Sequence, residues 1–375
     1  MEENKDLPLP SWLLNAMKAT EQNPKYHGEG NVLNHTLLVL ETFEMYKDEF
    51  DLSPAEQEVM YWASILHDIG KPAVTTWKRN RWTAHGHERA GLPFARNILL
   101  KHPEINQQQR RQILDLVKYH SIPLQWGLKR IGEGEYRKLA VKTDLRLLGI
   151  FSFFDIMGRD CMDKNHILSL DRDFNENVVP KITYEMGSFE DIQKTYQEAP
   201  LKQKNALWNS LKFDDGKLTR KLLAAPKPEN EVPKFQAALT LSLPNSKKED
   251  YIRQHYPHFK PFPLQNLSVS QVNPHERENL LRQVKHFISV WGEARKPVLI
   301  NGSLLDTATR NYLAEYCRNM GAEVSYLIFD EIDPDFEDYS LPKRKEVLDY
   351  PHPWESHQTE VVASPSKGLP LQRPE

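Results

Sequence analysis

Leu66-His67-Asp68-Ile69-Gly70-Lys71-Pro72 is the stretch around which the rest of this 375-residue chain can be organised. Upstream, Ser53 and Pro54 make a helix start, because Ser caps free N–H groups and Pro suits the first turn. That helix runs through Val59, Ala63 and Leu66 and stops at Gly70, with Pro72 just beyond. Its end sets an imidazole beside a hard carboxylate, and a carboxylate can bridge two cations. Three further helices carry a His or Asp on an apolar face: His35 with Val32 and Val39, His120 after Ile113, Leu116 and Val117, and Asp155 after Leu148 and Phe151. A bundle that turns these faces inward brings the polar groups to one point.

A lone histidine on an apolar face is more often a hydrogen-bonded core residue than a ligand. The set His35, His67, Asp68, His87, His120 and Asp155, with Gly-Lys-Pro after the central pair, outweighs that reading. Mixed His and carboxylate sites suit Mn, Fe, Co, Ni, Zn or Mg, so one or two divalent ions are the expected cofactor. Two such ions about 3.5–4 Å apart activate water and stabilise the oxygens of an in-line displacement at phosphorus.

Apolar periodicity predicts helices over Asn31–Lys47, from Glu88, over Gln107–His120 and over Asp144–Arg159. Between the first two, Thr75-Thr76-Trp77 faces Arg81-Trp82-Thr83 across Lys78-Arg79-Asn80, which predicts a short hairpin within Ala73–Ala84. Trp77 and Trp82 either pack that hairpin or offer a stacking surface for a base. Residues 185–234 are charged, then proline-rich at Ala225-Pro226-Lys227-Pro228, and read as a helical connector. Beyond it, strands at Ala237–Leu243, Pro297–Ile300 and Val324–Phe329 alternate with helices at Lys248–His255, His275–Trp291 and Thr307–Met320. Such alternation indicates a parallel α/β unit. The expected fold class is α plus α/β: an all-α bundle with a small hairpin over 1–184, the connector, an α/β domain over 235–360, and a Pro- and Ser-rich disordered tail over 361–375.

Several segments together resemble an HD-superfamily metal-dependent phosphohydrolase domain. They are Tyr26-His27-Gly28-Glu29-Gly30-Asn31-Val32 with His35-Thr36, the His67-Asp68-Ile69-Gly70-Lys71 run, Ala84-His85-Gly86-His87-Glu88-Arg89-Ala90-Gly91, His120 with Pro123, and Asp155-Ile156-Met157-Gly158-Arg159. They are especially similar to the HD domains of bacterial CCA-adding enzymes and to HD domains fused to bacterial polynucleotide kinases. The resemblance implies His35, His67, Asp68 and Asp155 as core metal ligands, with His87 and His120 serving a second metal. It also implies that Lys71, beside Asp68, contacts the substrate phosphate, where a point cation stabilises charge building on phosphate oxygens. His27, His85 and Arg159 are either substrate contacts or support for the ligands. Arg159, one turn after Asp155, either orients that carboxylate or binds phosphate.

Leu239-Thr240-Leu241-Ser242-Leu243-Pro244-Asn245-Ser246-Lys247-Lys248-Glu249-Asp250 follows a strand and opens a helix, the setting of a phosphate-binding loop. Its glycines are replaced by Ser242, Asn245 and Lys247, and no Ser or Thr follows Lys248 to hold magnesium. Val298 to Arg310, Gly321-Ala322-Glu323-Val324 and Pro353-Trp354-Glu355-Ser356-His357 resemble later parts of polynucleotide-kinase-like P-loop domains. In bacterial proteins with this domain order, the HD part removes 2′,3′-cyclic or terminal phosphates and the kinase part phosphorylates 5′-hydroxyl ends. The resemblance therefore implies RNA-end chemistry for the first domain and a degenerate, inactive kinase in the second. Lys248 is the phosphate-contact candidate left there.

The net charge of −3 does not announce a nucleic-acid binder but leaves a local basic groove open. Cys161 and Cys317 suggest neither a disulfide framework nor a zinc ribbon. The polar start MEENKDLPLP and the lack of a spanning apolar run predict a cytoplasmic protein with no membrane partner. The expected partner is a nucleotide or an RNA or DNA end. The alternatives are an HD phosphohydrolase acting on free nucleotides, and a non-catalytic scaffold that binds nucleic acid or protein. The complete six-residue set argues against the scaffold.

Overall fold

The computed structural model describes residues 7–128, 130, 132–199, 203, 206, 232–242, 248–264, 273–303, 307–330 and 358–363. The chain forms two compact units, the first running to Ile192 and the second holding a parallel sheet. Among the described residues, no helix is long and apolar enough to cross a membrane.

The first unit is helical: α1 (Ser11–Ala19), α2 (Val32–Tyr46), α3 (Pro54–Leu66), α4 (Lys71–Val74), α5 (His87–Leu100), α6 (Gln107–Tyr119), α7 (Pro123–Gly127), α8 (Glu133–Ala140), α9 (Leu145–Met157), α10 (Lys164–Asp173) and α11 (Val179–Met186), with α12 (Phe189–Glu198) starting at its end. Polar caps start the helices that matter most. Asn31 accepts from the Asn34 N–H, Ser53 and Glu56 form a reciprocal capping box, and so do Asn106 and Gln109. The central helix α3 packs against α2, α6 and α9. Val32, Val39, Ile113, Val117, Leu148 and Phe151, the apolar neighbours of the candidate ligands, are fully buried. Two glycines bring ligand-bearing segments together. A Cβ on Gly70 would meet the His87 carbonyl oxygen at 2.1 Å and the Gly91 nitrogen at 2.3 Å. A Cβ on Gly158 would meet the Val39 backbone nitrogen at 2.7 Å.

The expected hairpin is narrower than its sequence window. Lys71–Val74 adds a helical turn, and only β1 (Thr76–Lys78) and β2 (Arg81–Thr83) pair, with Trp77 opposite Trp82. Arg79 and Asn80 carry φ of 50° and 59°, the two-residue turn with positive φ that suits hairpin twist.

After α10 the chain widens into a π turn over Phe174–Val178. Asn175 in this turn donates to Asp171 at 3.0 Å. Burial pushes the Asp171 carboxyl up to about 6. Native Asp171 therefore holds a proton between pH 3.8 and 6 that the unfolded chain has released, and stability falls as pH rises through that window. Asp171→Asn should remove the penalty, gaining up to about 3 kcal/mol above pH 6 by the 1.36 kcal/mol-per-unit relation. The gain should vanish below pH 3.8, as read by urea denaturation at both extremes.

The second unit contains β3 (Phe235–Leu241), α13 (Glu249–His255), β4 (Lys260–Leu264), α14 (Pro274–Glu293), β5 (Val298–Gly302), α15 (Thr307–Asn319), β6 (Ala322–Asp330) and β7 (Gln358–Ala363). All neighbouring strands are parallel, in the order β4-β5-β3-β6-β7. The α plus α/β class holds. Ala238, Leu239, Leu299, Ile300 and Leu327 are fully buried, so the central strands read as continuous apolar runs. β4 carries Pro261 and Pro263, which a strand tolerates at the sheet edge where it lies.

Two expected boundaries coincide with regular secondary structure. The line after residue 184 falls inside α11, whose Ile182 and Met186 are buried with the bundle. Val361–Ala363, inside the tail expected from 361, pair with Ile328–Asp330 of β6. The proline-rich Ala225–Pro228 and residues 243–247, 353–357 and 364–375 lie outside the described residues.

Candidate metal centre

The six candidate ligands converge. His35 comes from α2, His67 and Asp68 from the end of α3, His87 from the first residue of α5, His120 from the end of α6 and Asp155 from the last turn of α9. All but His87 are at most 3% exposed. They form two groups, His35 with His67 and Asp155, and Asp68 with His87 and His120. Asp68 stands between them. Its Oδ2 lies 3.2 Å from His67 Nε2 and 3.5 Å from His35 Nε2. Its Oδ1 lies 3.2 Å from His87 Nε2 and 3.8 Å from His120 Nε2.

The far side of each ring decides what the near side offers. His67 Nδ1 donates to the Ser64 carbonyl (3.1 Å), His87 Nδ1 to Ala84 (2.8 Å) and His120 Nδ1 to Val117 (2.9 Å). A carbonyl accepts only, so each Nδ1 keeps its proton, and in the neutral ring it is Nε2 that presents the lone pair. His87 Nε2 and His120 Nε2 face each other at 3.2 Å. In the neutral rings these nitrogens turn lone pairs toward each other beside a carboxylate oxygen, an arrangement that a shared proton or a metal cation relieves. His67 Nε2 and Asp68 Oδ1 are buried without a hydrogen-bond partner among the described residues, although other polar atoms crowd them. Buried polar atoms without partners are costly. Nitrogen and oxygen donors converging in this way fit one or two divalent ions.

Electrostatics agree. Burial pulls the His35 ring down, but the hydrogen bond to Asp155 (3.0 Å) and the Glu29 carboxylate 3.0 Å from Nδ1 outweigh it and hold His35 above its usual range. Without metal, a proton on His35 supplies positive charge between two carboxylates. Burial pushes Asp68 up, yet the charges of Lys71 and His67 hold it well below the usual carboxylate range. Asp155 is held down likewise, against burial, by Arg159 and His35. Burial, with repulsion from His87 and His67, lowers His120 to about 4, which leaves its ring neutral and able to ligate.

The supporting residues sort as follows. Lys71 is buried, not a solvated lysine; its Nζ lies 2.6 Å from Asp68 Oδ2 and donates to Gln22 Oε1 at 2.6 Å. Arg159 binds both oxygens of Asp155. His27 is buried, donates to Glu29 from Nδ1 at 2.8 Å, and is lowered to about 3 by burial. His85 is exposed and outside the cluster. A cleft of about 350 Å³ opens on the site and is lined by His27, Lys71, His85 and His87 together with Trp82 of the hairpin.

Sequence reasoning missed Glu29 and Gln22. Glu29 Oε1 lies 2.8 Å from His27 Nδ1 and 3.0 Å from His35 Nδ1, and Oε2 accepts the Asp160 N–H at 2.9 Å. It thus fixes His35 with Nε2 toward the cluster. The available signal was a carboxylate in the loop just before a ligand-bearing helix. Glu29→Gln should weaken metal binding about 10–100-fold, the usual effect of removing a partner behind a ligand, with helicity unchanged. Competition against a chromogenic chelator reads it.

The family model described as HD domain matches residues 32–156, a third of the chain, spanning all six candidate ligands and reaching just past Asp155. HD domains bind divalent metals, and the match indicates a metal-dependent hydrolase. Comparison with curated proteins and with solved structures gives no match.

Proposed function

We propose that this chain, which carries an HD domain over residues 32–156, hydrolyses phosphate esters of nucleotides or RNA ends, with 2′,3′-cyclic phosphates and 2′-phosphates as its substrates. The observation that carries the proposal is Asp68, set between two ligand groups with the Lys71 ammonium 2.6 Å away at a cleft. His35, His67 and Asp155 would hold one ion, His87 and His120 a second, and Asp68 both. When bound, such ions supply Lewis acidity toward phosphate and make water more acidic. Lys71 stabilises the charge that gathers on phosphate oxygens. Asp68 holds that ammonium in place, and Arg159 keeps Asp155 turned to the cluster. His27 is neutral and gives its Nδ1–H to Glu29, so its Nε2 accepts a hydrogen bond from a substrate hydroxyl or water.

For the second unit we propose a kinase-like domain that has lost phosphotransfer. In support, the first strand of the sheet, β3, is central, and Ser242 and Lys248 follow its carboxyl end, the usual ligand side of such sheets. Lys248 Nζ donates to Ser242 Oγ at 2.8 Å. Next to it Glu249 stands where a magnesium-binding hydroxyl is needed, and Asn301 donates to its carboxylate at 3.0 and 2.9 Å.

A substrate panel with Mn, Ni or Co tests the proposal. It should give phosphate release from 2′-phosphates and ring opening of 2′,3′-cyclic nucleotides. Turnover of free dNMP or NTP alone would shift the function to free nucleotides, and no turnover above a metal-only control would sink the RNA-end assignment.

A further inference from the structure

Hydrolysis at the metal centre leaves the β1–β2 hairpin unexplained. We propose that the hairpin is a rest for single-stranded RNA: Trp82 stacks on the base of the terminal nucleotide, and Lys78, Arg79 and Arg81 take the phosphates that precede it. The inference rests on the RNA-end function proposed above and specifies how that end is held.

Three observations converge on it. The cleft of about 350 Å³ lies at the small end of ligand sites, on the scale of one nucleotide. Lys71 and His87 line it, and so do Arg81 and Trp82, so a nucleotide with its phosphate at Lys71 has the hairpin as a wall. Next, neither tryptophan serves a core. Trp77 is 54% exposed, and Trp82 is half-buried at the cleft. The rings meet edge to face with centroids 5.0 Å apart, so Trp77 braces Trp82. Finally, Lys78, Arg79 and Arg81 are all exposed, and among the described residues none has an ion-pair partner. Three such cations within four residues stand out on a chain of net charge −3. The tight two-residue turn holds them close together. Glu21 and Glu88 also border the cleft, which confines the positive character to the hairpin and Lys71. Aromatic stacking combined with a cationic track is the general chemistry of single-strand binding.

The test uses the full chain loaded with Mn and a fluorescein-labelled oligoribonucleotide of about eight residues, within the ~4–16-nucleotide site sizes usual for single-strand binding. A 3′-hydroxyl end makes binding independent of turnover. Trp82→Ala should raise the anisotropy Kd by about 10-fold, and Trp82→Phe should restore most of it. Lys78→Gln with Arg79→Gln should weaken binding and reduce the salt slope by about 1.4, at ~0.7 per lost phosphate contact. The same pair should raise KM for a cyclic-phosphate-ended oligonucleotide but not for a 2′,3′-cyclic mononucleotide. Metal content should stay at the wild-type level in all variants, because the hairpin supplies no ligand. Wild-type affinity in Trp82→Ala and in the double variant overturns the proposal. A Trp82→Ala loss that Phe does not restore overturns the stacking role. A wild-type protein that hydrolyses cyclic mononucleotides yet binds no RNA also overturns it, while leaving phosphohydrolase activity standing.

Discussion

Asp68→Asn should cut metal-dependent phosphate release by on the order of 10³-fold or more, the scale on which loss of one preorganised electrostatic group acts. The substitution keeps the side chain's shape and removes its charge. That charge faces both ligand groups, with Oδ1 toward His87 and His120 and Oδ2 toward His35 and His67. An amide presents one acceptor and one donor group, and the donor side cannot bind a cation. Lys71 also loses the carboxylate that lies 2.6 Å from it. Lys71→Met separates the two consequences. It should lower kcat while metal content stays at the wild-type level, whereas Asp68→Asn should lower both. Paired turnover and metal analysis read the difference.

Divalent metal should raise the melting temperature of the first unit by about 5–10 °C when supplied at 100 times its Kd. Ligand linkage gives ~2.7 kcal/mol at that ratio, and a unit of this size shifts by ~2–4 °C per kcal/mol. The physical source is the cost of the metal-free site. Asp68 and Asp155 are buried carboxylates, and His87 Nε2 and His120 Nε2 crowd together at 3.2 Å. A bound cation removes both penalties, and the unfolded chain has no such site. His67→Gln should abolish most of the shift. The second unit serves as an internal control, because the candidate metal groups among its described residues are none. Its calorimetric transition should not move.

His35, His120 and Asp155 were legible because each sits on a strongly periodic helix, whereas His87, ahead of the helix expected from Glu88, entered through the resemblance. His35 between Val32 and Val39, or Asp155 after Phe151, announces itself as a polar group on a core face. Glu29 was not, because it acts through another residue. It lies in a loop with no periodicity, and only the fold shows both imidazoles turned to it. Gly70 was legible as a helix stop, but its tighter constraint, the approach of the His87 carbonyl, depends on a helix seventeen residues further on. In the second unit, β4 escaped notice because Pro261 and Pro263 argue against a strand, and only an edge position tolerates them. β7 escaped because its pairing with β6 is remote in sequence and its flank is rich in Pro and Ser. Local pattern carries core faces and helix ends; it does not carry partners supplied by distant segments.

The central claim is a pair of metal positions sharing Asp68, and metal stoichiometry tests it most directly. Chains dialysed against excess Mn, freed of unbound ion and analysed by elemental mass spectrometry should hold about two equivalents, the two-ion arrangement of such hydrolytic sites. His120→Gln should hold about one and Asp68→Asn less than one on the same basis. A wild-type chain that retains no metal, or an Asp68→Asn chain that retains as much as the wild type, would contradict the account.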